Sequence, residues 1–363
     1  KVAQNRDDMQ ELVERYAKAE FIGADYETDG LNAIFNRVLM LGITLDGHNI
    51  DIIPEETYYA NLDLVKEIME KKGPVWIWQN GKFDIQWSWQ DDIQARVDED
   101  TMLASYALNE NQGFHDLDQI AQSWIQAPAH KGVMDKYYKM APHFSLRNAP
   151  VAELHQYAAY DIAKTFKMYF PLIKAVEADE RTKRLYYKTL IRATPFFARI
   201  ERQGVLIDEE KVKENAARED ALIIEIEKRL QGYAKEYMRR EINFGSYIQV
   251  RELLYKKMQL GRPGSERGQN WREQPSDEDA LIDIQRRTNH PIIHDMLEHR
   301  EVKKRRSTYV VNLIDTVEYK QLKTKLKVIE KPGIICPDKR VHPSFLLHGT
   351  QTGRPACRKP NIL

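Results

Sequence analysis

Two acidic side chains with alternating spacing, Asp25 and Glu27, lie at the end of an apolar run within residues 21–31. In an extended strand, residues i and i+2 point to the same side, so both carboxylates would project from one face. Carboxylates that close repel each other unless a cation lies between them, and Mg²⁺ is usually held by one or two carboxylates together with substrate phosphates. The pair therefore indicates half of a metal-dependent phosphoryl-transfer site. The alternative is a solvated pair of acids at a strand end.

Further polar residues could complete such a site. Asn80 and Asp84 follow a short apolar run at residues 75–78, and open α/β sheets place ligands at the carboxyl ends of their strands. Asp84 could equally be a charge at the N-terminus of a helix. Tyr157 and Asp161 are four residues apart in a helical pattern over residues 151–173, so they share a helix face. For that pair, the alternative is a core tyrosine beside a solvated aspartate.

The elements that must position these residues follow from the hydrophobic pattern. An amphipathic helix is predicted over residues 7–18, and strands over the run from Phe21, over 37–45 and over 49–53, with Asp46-Gly47 as a hairpin signal. A helix over 62–72 then leads to a buried strand at 75–78. Three strands in hairpin order, followed by a helix and another strand, predict an α/β domain with a mixed sheet.

Together, the three acidic motifs resemble those of the ribonuclease H-like "DEDDy" 3′-to-5′ exonucleases. Residues 100–103 (DTML) and 115–118 (HDLD) are similar to segments of the proofreading domain in family A (polymerase I-like) DNA polymerases, and the resemblance covers about residues 7–175. It implies that Asp25, Glu27, Asp84 and Asp161 hold two divalent ions, Mg²⁺ or Mn²⁺. It also implies that Tyr157 orients the attacking water.

The resemblance extends to contacts with a single DNA strand. In the family, a leucine shortly after the Asp-x-Glu motif wedges against the terminal base, and here that position is Leu31. Asn80 and Phe83 flank the site and are expected to contact the frayed strand. Phe83 could stack on a base for about 1–3 kcal/mol, and burial under the sheet is the equally open alternative.

The second half resembles the entrance to the polymerase region and thumb of the same family. Residues 196–208, a long predicted helix over 209–242, residues 242–260 and the segment HREVKKRRSTY at 299–309 support this resemblance. A thumb would direct its cationic helix at duplex phosphates with salt-sensitive affinity, and a solvated basic face is the alternative. The residues expected to contact DNA there are Lys303, Lys304, Arg305, Arg306 and Ser307.

Residues 341–345, Thr352-Gly353-Arg354 and Pro360-Asn361 resemble the family's TGR…PN motif. Arg354 is therefore the expected reader of the minor groove beside the primer terminus, with Asn361 nearby. The chain departs from the pattern where Pro355-Ala356-Cys357 replace Leu-Ser-Ser. Palm aspartates and fingers residues are not found in the sequence.

Composition fits two globular domains in 363 residues, predicted as an exonuclease domain at 1–178 and a thumb with the N-terminal part of the polymerase domain at 179–363.

The net charge of the chain is zero, but the charged residues are distributed unevenly between its two halves. Residues 1–180 carry 17 basic and 30 acidic side chains, whereas residues 181–363 carry 38 and 25. An acidic half beside a basic half suits a metal site joined to a polyanion-binding surface. The alternative is that the two halves attract each other.

The sequence has no apolar run of transmembrane length, and its two cysteines lie outside metal-site spacing, which favours a reducing compartment. The resemblance implies the cytoplasm of a bacterium or of a phage-infected cell. Because the first residue is Lys1, a fragment or a processed product is expected.

The predicted function is that of the 3′-5′ proofreading exonuclease and primer-template-binding part of a family A DNA polymerase. A second polypeptide carrying the palm and fingers is the expected partner, and a cropped or cleaved chain is the competing explanation. Two other functions remain open at this point, a stand-alone exonuclease of the ribonuclease D kind and a noncatalytic DNA-binding subunit.

Overall fold

The computed structural model describes residues 1–111, 115–130, 132, 134, 137, 146–261, 270–310, 313, 316–322, 325–331 and 334–360. Asn361 and most of the loop predicted at 261–275 lie outside the described residues. The chain forms two compact units. Unit 1 contains residues 1–205 together with 342–363, and unit 2 contains residues 206–341.

Unit 1 is built on a five-stranded sheet with the strand order β3-β2-β1-β4-β5. Its central strand pairs antiparallel with β2 and parallel with β4, so the predicted mixed sheet is confirmed. The strands are β1 (Phe21–Thr28), β2 (Val38–Thr44), β3 (Ile50–Pro54), β4 (Val75–Trp78) and β5 (Glu99–Asp100).

Helices cover both faces of this sheet. They are α1 (Arg6–Tyr16), α2 (Glu55–Ala60), α3 (Leu62–Met69), α4 (Gly81–Gln90), α5 (Thr101–Leu108), α6 (Leu117–Ile125), α7 (Val151–Glu177), α8 (Glu180–Leu185) and α9 (Ile191–Gln203), with a π-helical turn at Tyr186–Leu190. Alternation along β1 sends Ile22, Ala24 and Tyr26 into the core that contains α1 and α4. The odd-numbered residues of β1 therefore face α7 on the opposite side.

Two glycines allow α7 to lie directly on the sheet. A Cβ atom at Gly42 would be 2.0 Å from Ile162 Cδ1, and one at Gly23 would be 2.9 Å from Phe166 Cδ2. Gly42 is also the cross-strand partner of Asp25. Because no side chain separates helix and sheet at these positions, α7 carries Asp161 close to the acidic residues of β1.

Unit 2 is mainly helical, as predicted. It contains α10 (Glu209–Met238), α11 (Tyr247–Arg251) with a π-helical continuation at Glu252–Lys257, α12 (Glu278–Thr288) and α13 (Pro291–Arg305), which runs into a π-helical turn at Arg306–Val310. Its core includes Ile226, Leu230, Leu253 and Ile292. The long helix ends before the predicted residue 242 because Arg239 takes a left-handed conformation, with φ of 59°.

The remaining strands are short or form hairpins: β6 (Val205–Leu206), β7 (Thr316–Leu322), β8 (Lys325–Lys331), β9 (Arg340–Val341), β10 (Ser344–Leu346) and β11 (Ala356–Arg358). β10 and β11 pair with each other and belong to unit 1. Throughout the described residues, we find no helix that is both long and apolar enough to span a bilayer.

Candidate active site

Three carboxylates converge between the central strand and α7. Asp25 and Glu27 of β1 and Asp161 of α7 each offer an oxygen atom, and these oxygens all lie within 4.8 Å of one another. Glu27 and Asp161 are both 7% exposed. The predicted pairing of Asp25 with Glu27 on one strand face thus gains a third acid from a distant part of the chain.

The electrostatics of this cluster favour a bound cation. Burial, and then the negative charges of Asp161 and Asp84, raise the pKa of Glu27 well above its ordinary value. Asp161 Oδ1 is buried and makes no hydrogen bond within the described part of the chain. Clustered, desolvated oxygen donors of this kind suit a hard divalent ion such as Mg²⁺, which would also relieve the repulsion. The residues present therefore fit a divalent metal site.

Asp84 lies on the wall of the same space rather than in the group of three. We call this space the acidic cavity; its volume is about 710 Å³, and Asp25, Glu27, Asp84, Tyr157 and Asp161 are among its lining residues. Asp84 Oδ1 accepts a hydrogen bond from the Tyr26 backbone at 3.2 Å, and burial raises the pKa of Asp84. All five predicted catalytic residues thus face one cavity.

Asp100 fixes the start of the helix that carries Asp84. Its carboxylate accepts hydrogen bonds from the backbone of Gly81 at 2.8 Å, Met102 at 2.9 Å and Leu103 at 3.1 Å. It thereby caps α5 and holds the loop before α4. Asp100 belongs to the DTML segment of the sequence, and its position before a helix is a signal for an N-cap.

The fifth predicted residue, Tyr157, lies one helical turn before Asp161 on α7. The centroid of its ring is 5.2 Å from that of His130. His130 Nε2 is 2.9 Å from Asp161 Oδ1, although the two atoms do not reach hydrogen-bond geometry. His130 is thus a neighbour of both predicted site residues on α7, and sequence reasoning did not identify it.

A buried lysine holds the loop of His130 in place. Lys164 Nζ lies 2.7 Å from Asp118 Oδ1, 2.6 Å from the Pro128 carbonyl oxygen and 2.6 Å from His130 Nδ1. Lys164 is 6% exposed. Its spacing of three residues from Asp161 places both on one face of α7, and this spacing is a signal present in the sequence.

Only some of the residues predicted to contact a single DNA strand line the acidic cavity. Asn80 and Phe83 line the acidic cavity, whereas Leu31 lies in the loop after β1, is 57% exposed and does not line it. Asn80 has a left-handed conformation with φ of 64° at the start of α4. Phe83 is half-buried and packs edge-to-face on Trp87, with ring centroids 5.6 Å apart.

In unit 2, the predicted DNA-binding cations on α13 and its π-helical continuation differ in availability. Lys303 pairs with Glu227 at 2.7 Å, Arg305 binds Glu219 through two hydrogen bonds, and Arg306 pairs with Asp220 at 2.8 Å. Lys304 and Ser307 are exposed.

In unit 1, Arg354 is exposed and does not line the acidic cavity. Asn361 is outside the described residues.

A mixed sheet whose central strand and covering helix gather buried carboxylates defines the chain's first half as a ribonuclease H-like nuclease fold. Residues 1–177 match the family model described as 3′-5′ exonuclease, and residues 210–363 match the model described as DNA polymerase family A. Since these matches cover most of the chain, we conclude that it belongs to the family A DNA polymerases and carries their 3′-5′ exonuclease domain. Exonuclease domains of this kind use divalent metal ions.

The most similar relatives include DNA polymerases of bacteria and a phage. The chain is 24% identical to DNA polymerase I of Borreliella burgdorferi (98% of this chain, 36% of the relative) and to that of Pseudomonas aeruginosa (96% and 37%). It is 26% identical to the DNA polymerase of Escherichia phage T5 (70% and 32%). It thus spans about a third of the length of these relatives.

Among solved structures, the fold is similar to the polymerase domain of Pol1 from M. smegmatis in complex with DNA primer-template and dNTP. The TM-score is 0.76 at 17% identity, over 100% of this chain and 55% of that one. This likeness supports the predicted fold of an α/β nuclease followed by a mainly helical polymerase region.

Proposed function

We propose that the chain removes nucleotides from the 3′ end of a DNA strand and holds the primer-template for a family A polymerase. The observation that carries the first part is the cluster of Asp25, Glu27 and Asp161, whose oxygens lie within 4.8 Å of one another beside Asp84 and Tyr157. Five residues from three distant segments facing one cavity are difficult to explain without a shared chemical task.

We assign the metal ligands as Asp25, Glu27, Asp84 and Asp161, and two Mg²⁺ or Mn²⁺ ions as the cofactors. When bound, a pair of such ions lowers the pKa of an attacking water and stabilises the leaving 3′ oxygen. The side chains of the cavity do the remaining work. Tyr157 orients the water through its phenol group, and Asn80 and Phe83 hold the last nucleotide of the strand.

The relatives are named as DNA polymerases, and this supports the proposal that the chain holds a primer-template. We assign unit 2 to the thumb, with Lys303, Lys304, Arg305, Arg306 and Ser307 facing duplex phosphates, while Arg354 and Asn361 serve at the primer terminus. Three of the four cations must then exchange their carboxylate partners for phosphates. The domain border near residue 178 and a cytoplasmic location remain predictions.

Nucleotide addition requires palm and fingers segments, and we propose that a second polypeptide supplies them. Mixing this chain with a palm-and-fingers polypeptide should give a complex on gel filtration and a gain of primer extension. Absence of both would overturn this part of the proposal alone.

The nuclease proposal is tested with 5′-labelled DNA and RNA strands of the same sequence. The parent chain with Mg²⁺ should shorten single-stranded DNA from its 3′ end, and Asp25→Ala should lose at least about a hundredfold in rate, because a ligand of the metal site is gone. Glu67→Gln, on the exposed face of α3, is the matched control and should keep the parental rate.

Three results of this assay would count against the proposal. Preference for RNA ends would favour a nuclease of the ribonuclease D kind. No shortening of either strand would favour a noncatalytic subunit. Equal rates for Asp25→Ala and the parent would place the activity elsewhere.

A further inference from the structure

A second cavity adjoins the acidic cavity and has the opposite charge. Its volume is about 460 Å³, and the charged residues that line it are Lys82, Arg202, Arg358 and Lys359 against Glu201. We call it the basic cavity. By contrast, the charged residues lining the acidic cavity are five carboxylates, Asp25, Glu27, Asp84, Asp116 and Asp161, and one cation, Arg358.

The two cavities share a wall. Asn80, Phe83, Met102, His348 and Arg358 line both of them. Each cavity has the size of an ordinary small-ligand site. A chain of nucleotides could therefore pass from one to the other across Phe83, whose aromatic face offers a surface for a base.

Among the residues of this shared wall, Arg358 carries the guanidinium group that can form an ion pair with a phosphate. It is exposed on β11, opposite Ser344 of β10. Burial, followed by the positive charges of His115 and Arg358, lowers the pKa of His348 to about 4. Near neutral pH, His348 is thus uncharged, and the guanidinium of Arg358 supplies the positive charge beside the carboxylates.

Building on the proposed function, we propose that Arg358 binds a phosphate of the 3′-terminal strand on the upstream side of the cleaved bond. The basic cavity then holds the nucleotides that precede the terminal one, with Leu31 on its wall. The charge division explains how a polyanion approaches an acidic site: its terminal nucleotide meets the metal-binding carboxylates, and its upstream phosphates meet cations. A bidentate guanidinium suits that contact.

The test compares substrates of different length on the full chain with Mg²⁺. Thymidine 5′-p-nitrophenyl phosphate offers one nucleotide, and a five-nucleotide DNA strand reaches the basic cavity. We expect Arg358→Ala to raise KM about tenfold for the five-nucleotide strand, as for loss of one charge-assisted hydrogen bond. The small ester should be hydrolysed at the parental rate, and Arg358→Lys should stay within about threefold of the parent.

Two further measurements identify the contact. The slope of log KM against log salt concentration should fall by about 0.7 in Arg358→Ala, the value for one phosphate contact on a single strand. Replacing single phosphates by neutral methylphosphonates should weaken binding to the parent at one upstream position, and that effect should disappear in Arg358→Ala. Arg184→Ala, an exposed arginine on α8 that lines neither cavity, is the control and should match the parent.

The possible results distinguish the phosphate contact of Arg358 from the proposed nuclease activity. Unchanged KM and salt slope in Arg358→Ala would overturn the role of Arg358 while leaving the nuclease intact. Equal losses on the ester and on the strand would also overturn it, because the residue would then act on the reaction itself. A parent that cleaves neither substrate would instead overturn the proposed function.

Discussion

Replacing Gly42 by alanine should push α7 away from the sheet and separate Asp161 from the acids of β1. The new Cβ would lie 2.0 Å from Ile162 Cδ1 and 3.3 Å from Ile52 Cδ1, whereas carbon atoms prefer about 3.5–4.0 Å. Ile162 is completely buried, so its methyl group cannot turn away into solvent. Overpacking of this kind costs about 1–3 kcal/mol of folding free energy.

Gly42→Ala should slow the nuclease reaction strongly even though the protein loses only a small part of its free energy of unfolding. Ile162 follows Asp161 directly, and a misplacement of about 1 Å at a reacting centre costs about a hundredfold in rate. We therefore expect Gly42→Ala to remain folded, to lose about 1–3 kcal/mol in urea unfolding, and to cleave single-stranded DNA about a hundredfold more slowly.

A second substitution tests the cause. Ile162→Val removes the clashing Cδ1 atom, and the next Ile162 atom, Cγ1, is 3.4 Å from the added methyl group, so the double variant should regain most of the lost rate. Gly232→Ala on α10, where an added Cβ meets nothing within 4 Å, should instead stabilise the protein by about 0.5–1 kcal/mol. Parental rate and stability in Gly42→Ala, or a double variant as slow as the single one, would refute the reasoning.

Burial raises the pKa of Glu99 to about 7, so the folded protein keeps a proton that the unfolded chain releases, and stability falls as pH rises from about 4.5 to 7. Glu99→Gln should remove the part of that fall that Glu99 contributes, so its free energy of unfolding should exceed that of the parent by about 3 kcal/mol at pH 8 in urea unfolding; a constant difference across this range would contradict it. Lys82→Met leaves the buried carboxylate of Glu201 unpaired and should cost about 3–5 kcal/mol, whereas a cost below 1 kcal/mol would mean that the pair is dispensable. Mg²⁺ should raise the melting temperature of the parent but not that of Asp25→Asn, since only the parent keeps the full ligand set; equal shifts would place the ion elsewhere. Lys304→Ala should weaken duplex binding and lower its salt slope by about 0.9 at unchanged stability, and an unchanged slope would remove Lys304 from the interface.

Local spacing was sufficient to predict which polar side chains share one face of an element. The alternation of Asp25 and Glu27 places both on one face of β1, and the four-residue spacing of Tyr157 and Asp161 places both on one face of α7. The mixed sheet followed from the strand and hairpin pattern. The two side-chain placements depend on the geometry of a single element, and the mixed sheet depends on the order of neighbouring elements along the chain.

What the sequence could not predict depends on which elements become neighbours. The importance of Gly42 emerges only when strand register sets it opposite Asp25 and under Ile162. The run of four cations from Lys303 to Arg306 predicted a basic face, but acids of α10 pair with three of them. Arg358 carries no local signal at all, because its position beside the acidic cavity results from the return of residues 342–360 to unit 1.

That return has a consequence for how the protein is made. Lys82 and Glu201 are 119 residues apart, and Glu201 accepts a hydrogen bond from Phe345, a further 144 residues along the chain. At about 5–20 residues per second, a ribosome needs tens of seconds to deliver these partners to the nascent sheet. Glu201 is therefore available to Lys82 before unit 2 is made, whereas Phe345 arrives only after the whole of unit 2 has been synthesised. A fragment cut after residue 177, where the exonuclease family match ends, would never receive them.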